Sequence, residues 1–279
     1  MLKTKLLVVL MCYCGSLSAM QLNSQNAIVV DERNGQVLLA KNADAVVPIA
    51  SLTKLMTAMV LLDSKANMDE KISIEEEDKD QLKHSRSHVP IGSSITRREA
   101  LQLALMSSDN RAAASLARTY PGGNGAFLVA VKSKLIALGM GHTFIREATG
   151  LSPENTSTAA DLVKMAQAAS RYPEITDITT DSEDTISLKD GRSREFHNTN
   201  RLVGKKGWDV LLSKTGFTNE AGSCLIMRVK MAGKKATLVL LNARASSARL
   251  MDALNIGRLL ENKPPESKVG KRLRHVRHR

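Results

Sequence analysis

The chain has 279 residues, of which 43% are apolar, 24% charged and 3% aromatic, a globular composition that excludes a collagen, a disordered chain and a polytopic membrane protein. Forty Lys and Arg against 28 Asp and Glu give a formal charge of +12, but residues 1–19 hold +2, residues 263–279 hold +6 and the stretch between only +4. A body so close to neutral is not that of a nucleic-acid-binding domain; the basic character belongs mostly to a tail.

Lys3 and Lys5 precede an apolar run from Leu6 to Met11 and then the small residues Gly15, Ser16, Ser18 and Ala19. This is the three-part pattern of an export signal, and the run is shorter than the ~20 residues a membrane span needs. Residues 1–19 are expected to be removed near Ser18 or Ala19. Bulky Met11 and Tyr13 around Cys12 and Cys14 argue against a lipid anchor. The mature chain then keeps only Cys224, which lies in an apolar run and reads as core packing, with no internal disulfide to supply stability.

Ala27–Asp31 and Gln36–Ala40 are short apolar runs joined through Asn34-Gly35, a hairpin signal in which both turn residues take positive φ. After Pro48, the spacing of Leu52, Leu55, Met56, Met59 and Val60 predicts a helix over 51–62 with Ser51 in its first turn. The acidic stretch 75–78 reads as a solvated loop face. Thr96 and Glu99 form a capping box opening a helix that stops near Ser107, and a second helix starts at Arg111, leaving Ser108-Asp109-Asn110 in a tight break. Tyr120–Gly123 is a turn. Helical patterns follow at 126–138 and, behind Ser157 and Thr158, at 159–169. Strand patterns then occupy 209–213, 222–231 and 236–242, and a helix spans 246–260 before Pro264-Pro265. The order fits an α+β fold: an antiparallel sheet of the hairpin and the three late strands, flanked by helices, with a mainly helical insertion. Residues 20–262 form one catalytic domain in this reading, and 263–279 a basic tail.

Three motifs carry chemistry. In Ser51-Leu-Thr-Lys54 the spacing of three puts the lysine one helical turn from the hydroxyl. A serine needs a base to become a nucleophile, and a lysine serves only when burial or cationic neighbours lower its pKa. Ser108-Asp109-Asn110 supplies a second hydroxyl to relay a proton and a carboxamide to hold a substrate amide. Lys214-Thr215-Gly216, at the end of a strand-like run, supplies an ammonium and a hydroxyl for a carboxylate, and a glycine that allows close backbone approach. Each alone has a bland structural explanation: a helix start, a capping cluster, a strand end. The trio in this order is the signature shared by penicillin-binding proteins and class A β-lactamases.

The chain, over roughly residues 25–262, resembles the low-molecular-mass penicillin-binding proteins, the serine D,D-peptidases of peptidoglycan. Ala148–Leu151, His197–Leu202 and Lys214–Gly222 look like further segments of that family, and 105–113 with 118–123 look most like its D-alanyl-D-alanine endopeptidase branch. The resemblance implies the β-lactamase/penicillin-binding-protein fold with a five-stranded antiparallel sheet, and a periplasmic location. It implies Ser51 as nucleophile, Lys54 as its base, and Ser108 as proton relay. It further implies Asn110, Lys214, Thr215 and Gly216 in substrate binding, and the N–H groups of Ser51 and Phe217 as oxyanion hole. Peptidoglycan stems are the implied substrate, β-lactams the implied acylating inhibitors, and no cofactor is called for.

A carboxypeptidase uses the same side chains, because both scissile bonds join a D-alanyl carbonyl to a D-configured amine beside a carboxylate. A β-lactamase would need a water-activating carboxylate; Glu147 lies in a suggestive place, yet Leu151 stands where a polar companion is expected. A non-catalytic wall-binding protein would have lost part of the trio. Metal is not expected: His84, His88, His142 and His197 show no close pair with a ligand carboxylate, His275 and His278 fall in the tail, and His197 reads as support for the fold. The tail offers only Val269, Leu273 and Val276 as apolar contacts among its cations, and reads as a loose, salt-sensitive tether to anionic membrane lipid or wall polymer.

Overall fold

The computed structural model describes residues 20–187 and 193–264; the expected export signal and all but the first two residues of the basic tail lie outside them. Among the described residues the strands are β1 (Asn26–Asp31), β2 (Val37–Lys41), β3 (Val47–Pro48), β4 (Lys71–Ser73), β5 (Ser94–Thr96), β6 (Thr156–Ser157), β7 (Glu183–Ser187), β8 (Ser193–His197), β9 (Asp209–Thr218), β10 (Gly222–Met231) and β11 (Lys234–Ala243). The helices are α1 (Thr53–Asp63), α2 (Arg97–Leu105), α3 (Asn110–Arg118), α4 (Gly123–Ala137), α5 (Ala159–Ala169), α6 (Pro173–Thr180) and α7 (Ser246–Leu260). No described helix is long and apolar enough to cross a membrane.

The main sheet is antiparallel, in the order β2-β1-β11-β10-β9. Its central strands read as continuous apolar runs because both faces are covered. Ile28, Val30, Ile226 and Val239 point into a large core shared with α1, α2, α3 and α5. Ala27, Val29, Met227 and Leu238 alternate with them and pack against Ala253, Ile256 and Leu260 of α7. The helical insertion thus sits on one face and the closing helix on the other. At its centre α1 is buried from Thr53 to Leu61, as expected of a helix surrounded by protein on all sides.

The capping box forms as the sequence predicts: Thr96 Oγ1 accepts from Glu99 N at 3.1 Å, and Thr96 N donates to Glu99 Oε2 at 2.7 Å. Other expectations are corrected. At the first hairpin only Gly35 has positive φ, because the connection is a longer loop closed by Gly35 N to Asp31 O at 2.9 Å. The acidic stretch is not wholly solvated, since Asp78 is buried and accepts two bonds from Arg118, each 2.9 Å. The strand starting at Asp209 does not stop at Ser213 but runs on to Thr218, so Lys214-Thr215-Gly216 lies within it. His197 does not support the core. It is exposed on β8, with Nδ1 3.5 Å from Glu183, fourteen positions away in the chain, and Nε2 3.3 Å from Glu195, two positions away. The hairpin β7–β8, helix α6 and the short pairs β3–β6 and β4–β5 had no periodicity long enough to announce them.

Candidate active site

Three elements converge on one cleft. Ser51 lies in a single 3-10 turn, Ala50–Leu52, that leads into α1, and Lys54 follows on the first turn of α1 itself. The turn is held in an unusual shape. Ala50 has φ 47°, a left-handed conformation costly for a residue with a Cβ. It is fixed by Thr53 Oγ1, which donates to Ala50 O at 2.8 Å, and by Ile49 N to Asn155 O at 3.0 Å, beside the β3–β6 pair. Gly150 passes so close that a Cβ there would lie 2.0 Å from Ala50 O.

The second element is the break between α2 and α3. Ser108 has φ 62°, another left-handed residue, and Asp109 caps α3 by accepting from Ala112 N at 3.0 Å. That reversal brings the Asn110 side chain to Lys54 of α1 and the Ser108 side chain to Lys214. The third is β9, the edge strand of the sheet, whose Lys214 and Thr215 are buried. At Gly216 a Cβ would come 3.0 Å from Ser51 N, so a glycine is what lets this edge lie against the nucleophile's backbone. Phe217 follows on the same edge with its ring 59% exposed.

Lys54 decides what the cluster can do. Its Nζ lies 2.7 Å from Asn110 Oδ1, 2.7 Å from the Thr149 carbonyl and 2.9 Å from Ser51 Oγ. The first two partners accept only in these bonds; Asn110 is oriented by donating its Nδ2 to Ser85 Oγ at 2.8 Å. A neutral amine has two N–H groups and one lone pair. As an ammonium, Nζ donates to all three oxygens; once the amine is neutral, the two acceptors take both N–H groups and the lone pair faces the Ser51 hydroxyl. Burial brings that neutral form within reach: desolvation lowers the Lys54 pKa to about 8, opposed by the charges of Glu147, Asp109 and Asp80. Lys214 Nζ donates to Ser108 Oγ at 2.9 Å and to its neighbour's carbonyl, Thr215 O, at 3.1 Å. Burial lowers its pKa well below the usual lysine value, and the nearby positive charges of Lys54 and Arg249 add to this.

All eight residues singled out in the sequence belong to this neighbourhood. Ser51, Ser108, Asn110, Thr215, Gly216 and Phe217 line a cleft of about 590 Å³, and the two buried lysines lie behind that lining, bonded to its Ser51 and Ser108. A larger apolar groove of about 750 Å³ lies between α4 and the 139–146 segment and contains none of them; the chemistry belongs to the smaller, more polar cleft. Sequence reasoning missed several members. Thr149 contributes a carbonyl, and Thr199 Oγ1 accepts from Thr215 Oγ1 at 2.7 Å. Both lie in stretches that resemble the family but carried no role. Arg249, at the start of α7, is buried in the cleft wall. Its Nη1 donates to Cys224 O at 3.0 Å, while its Nε has no partner among the described residues. A lone arginine in a helical pattern gives no such signal.

Glu147 is fully engaged by its own loop. Its carboxylate accepts from Thr149 N and Thr149 Oγ1, both at 2.6 Å, from Gly150 N at 2.7 Å and from Ser152 N at 3.2 Å. It shapes the loop that presents the Thr149 carbonyl to Lys54. Cys224 is buried, with its thiol pKa pushed up to about 11 by desolvation, as suits core packing.

A cleft with a serine on a buried lysine, a second serine on a second lysine and an edge strand alongside defines a serine acyl-transfer site of the penicillin-binding type. The D-alanyl-D-alanine carboxypeptidase family model, Peptidase S11, matches residues 15–245, and the chain belongs to that family. It is 47% identical to a D-alanyl-D-alanine endopeptidase of Pseudomonas aeruginosa, over 86% of this chain and 78% of the relative. Against a protein of the same name from Escherichia coli it is 42% identical with the same coverage. Among solved structures it is similar to penicillin-binding protein D2 of Listeria monocytogenes in an ampicillin-bound form, with a TM-score of 0.72, 30% identity and coverage of 88% of this chain and 99% of that one. The fold is accordingly that of the serine D,D-peptidases acting on peptidoglycan.

Proposed function

We propose that this serine D,D-peptidase is an endopeptidase that cleaves cross-links between D-alanine and diaminopimelate in peptidoglycan, through an acyl-serine intermediate. The two curated relatives named as endopeptidases support the choice of bond. The observation that carries the chemistry is the buried Lys54 Nζ, 2.9 Å from Ser51 Oγ and held by Asn110 Oδ1 and the Thr149 carbonyl, so that loss of one proton leaves a lone pair for the Ser51 hydroxyl.

In this reading Ser51 Oγ attacks the D-alanyl carbonyl and Lys54 takes the hydroxyl proton. The carbonyl oxygen, now an anion, is met by the N–H groups of Ser51 and Phe217. Ser108 passes a proton to the leaving amine as the C–N bond breaks, which leaves an ester on Ser51; water then adds to that carbonyl and releases the free acid. Asn110 orients the substrate amide. Lys214 and Thr215, beside Gly216, hold the carboxylate next to the scissile bond, with Arg249, whose Nε has no partner among the described residues, in the same wall. A β-lactam acylates the same serine, as the ampicillin-bound relative suggests. Glu147, consumed by backbone donors, is poorly placed to activate water as a lactamase requires.

The description of the family model favours a second reading, removal of a terminal D-alanine. Digestion of cross-linked muropeptides decides between them: dimers converted to monomers support the endopeptidase, while loss of one D-alanine with dimers intact overturns it. Fluorescent penicillin should label the wild type and not Ser51→Ala; an unlabelled wild type would leave a wall-binding protein without chemistry. Export through residues 1–19, a periplasmic location and a weak electrostatic tether in residues 263–279 complete the proposal. Cell fractionation tests them, and a full-length precursor retained in the cytoplasm would refute export.

A further inference from the structure

We propose that the end of the sheet remote from the cleft is a docking surface for a bilayer containing anionic phospholipids. Four chain segments meet there. Asp31 pairs with Ala236, so the β1–β2 loop carrying Arg33 lies beside the β10–β11 turn with Lys230, Lys234 and Lys235. Asp209, the first residue of β9, pairs with Lys230. Lys205 and Lys206 lie just before it, in the turn closed by Trp208 N to Lys205 O at 3.0 Å. The Trp208 ring lies over Gly257 of α7, whose C-terminal end carries Arg258 and Lys263.

With Arg228, this end holds nine cations against Asp31, Glu32, Asp209 and Glu261, a net +5. The rest of residues 20–263 sums to zero, so the folded body's entire excess charge is gathered at one pole. The acids there are largely engaged. Glu32 is held by Arg228 at 2.6 Å, Asp31 by Arg33 at 3.4 Å and Glu261 by Lys263 at 2.9 Å. Lys205 and Lys206 are exposed and form no ion pair among the described residues.

The chain leaves the described body at this same pole, where Lys234 Nζ donates to Asn262 Oδ1 at 3.3 Å. Fifteen further residues follow Pro264 and bring Lys268, Lys271, Arg272, Arg274, Arg277 and Arg279, with Val269, Leu273 and Val276 spaced among them. The sequence that continues from this pole is thus basic as well. Flexible lysines spread over several turns match a diffuse sheet of charge rather than a single ligand, and apolar residues among cations suit the headgroup boundary of a membrane. Along β10, Lys230 is six residues from Cys224, which pairs with Gly216 of the cleft. That separation is ~20 Å, beyond a Debye length of ~8 Å, so the charge of a docked bilayer is largely screened from the cleft, which stands clear of it.

The proposal rests on the export reading, which brings this surface to a membrane, and is independent of which peptide bond is cut. The test is co-sedimentation of the exported chain with vesicles of phosphatidylglycerol and phosphatidylethanolamine, with phosphatidylcholine vesicles as control. The wild type should bind the anionic vesicles at low salt and be released at high salt. Lys206→Glu with Lys235→Glu should weaken binding at least about tenfold, and the milder Lys→Gln pair less, while penicillin labelling stays at the wild-type level. Truncation after Pro264 should weaken binding without abolishing it. If the body variants bind as well as the wild type, the tail alone is the tether and the pole has no role. Equal binding to neutral vesicles, binding that survives high salt, or retention only by purified sacculi would each overturn the bilayer assignment. Loss of labelling in the wild type would instead count against the peptidase reading and leave the docking result standing.

Discussion

Strand β9 and the turn that leads into it use lysine in opposite ways. Within the strand Lys214, with Lys54 opposite, is buried and fixed by named partners, and desolvation lowers the pKa of both. In the turn before it, Lys205 and Lys206 stand in open solvent. Burial makes a cation expensive and so hands it to chemistry, because the group is driven toward its neutral form and into a single geometry. Exposure leaves it charged, mobile and useful only through the field it adds to. One strand thus joins a place where each amine is individually indispensable to one where only the sum matters.

The sharpest way to break this contrast is to remove single lysines. Lys54→Ala is expected to lower the acylation rate by at least about 10³-fold, and Lys206→Ala to leave it unchanged, with fluorescent penicillin as the readout. Comparable losses at the two positions would mean that burial does not distinguish them. Gly150→Ala forces a Cβ to within 2.0 Å of Ala50 O at a backbone φ of 86°, and should cost about 2–4 kcal/mol in denaturant unfolding. An unchanged midpoint would show that the turn under Ser51 is not constrained as described.

Smaller changes sharpen the account of Lys54. Glu147→Gln loosens the loop that presents the Thr149 carbonyl and should slow acylation roughly 10- to 100-fold at neutral pH. It also removes a negative charge that raises the Lys54 pKa, so the midpoint of the rate profile should move to lower pH; a slower enzyme with an unmoved midpoint would assign Glu147 to the fold alone. In the wild type the base is the neutral amine. Acylation should therefore rise with pH and level off above about 8, falling about tenfold per unit well below that value. Stability follows the same group. Between about 8 and the ordinary lysine value of 10.5 the unfolded chain binds a proton that folded Lys54 lacks, so this residue's contribution to stability rises with pH across that window. Its burial penalty is fully present below about 8. A rate profile flat from pH 6 to 9 would remove Lys54 as the base. The least effect is expected from Thr96→Ala, which breaks the capping box far from the cleft: about 1 kcal/mol of stability, with labelling untouched.

Much of this was legible without coordinates. The apolar runs at 222–231 and 236–242, the capping box at Thr96 and the closing helix over 246–260 are set by local patterns, and each lies within the element that forms there. The trio was legible because its residue types are unusual together at those spacings. Helix α6 and the β7–β8 hairpin were not, because short elements with few apolar positions carry little periodic signal. His197 shows the same limit: Glu183 pairs with it across two strands, fourteen positions away in the chain.

The sequence by itself determined the longer elements and which three segments carry reactive groups, since periodicity, caps and residue chemistry are properties of neighbours along the chain. Only the tertiary structure decided that Thr149 and Asn110 would take both hydrogens of the Lys54 amine, that Arg249 would enter the cleft wall, and that the body's excess charge would collect at one end of the sheet. Those facts depend on burial and on contacts between residues up to a hundred or more positions apart, and both arise only when the chain is packed.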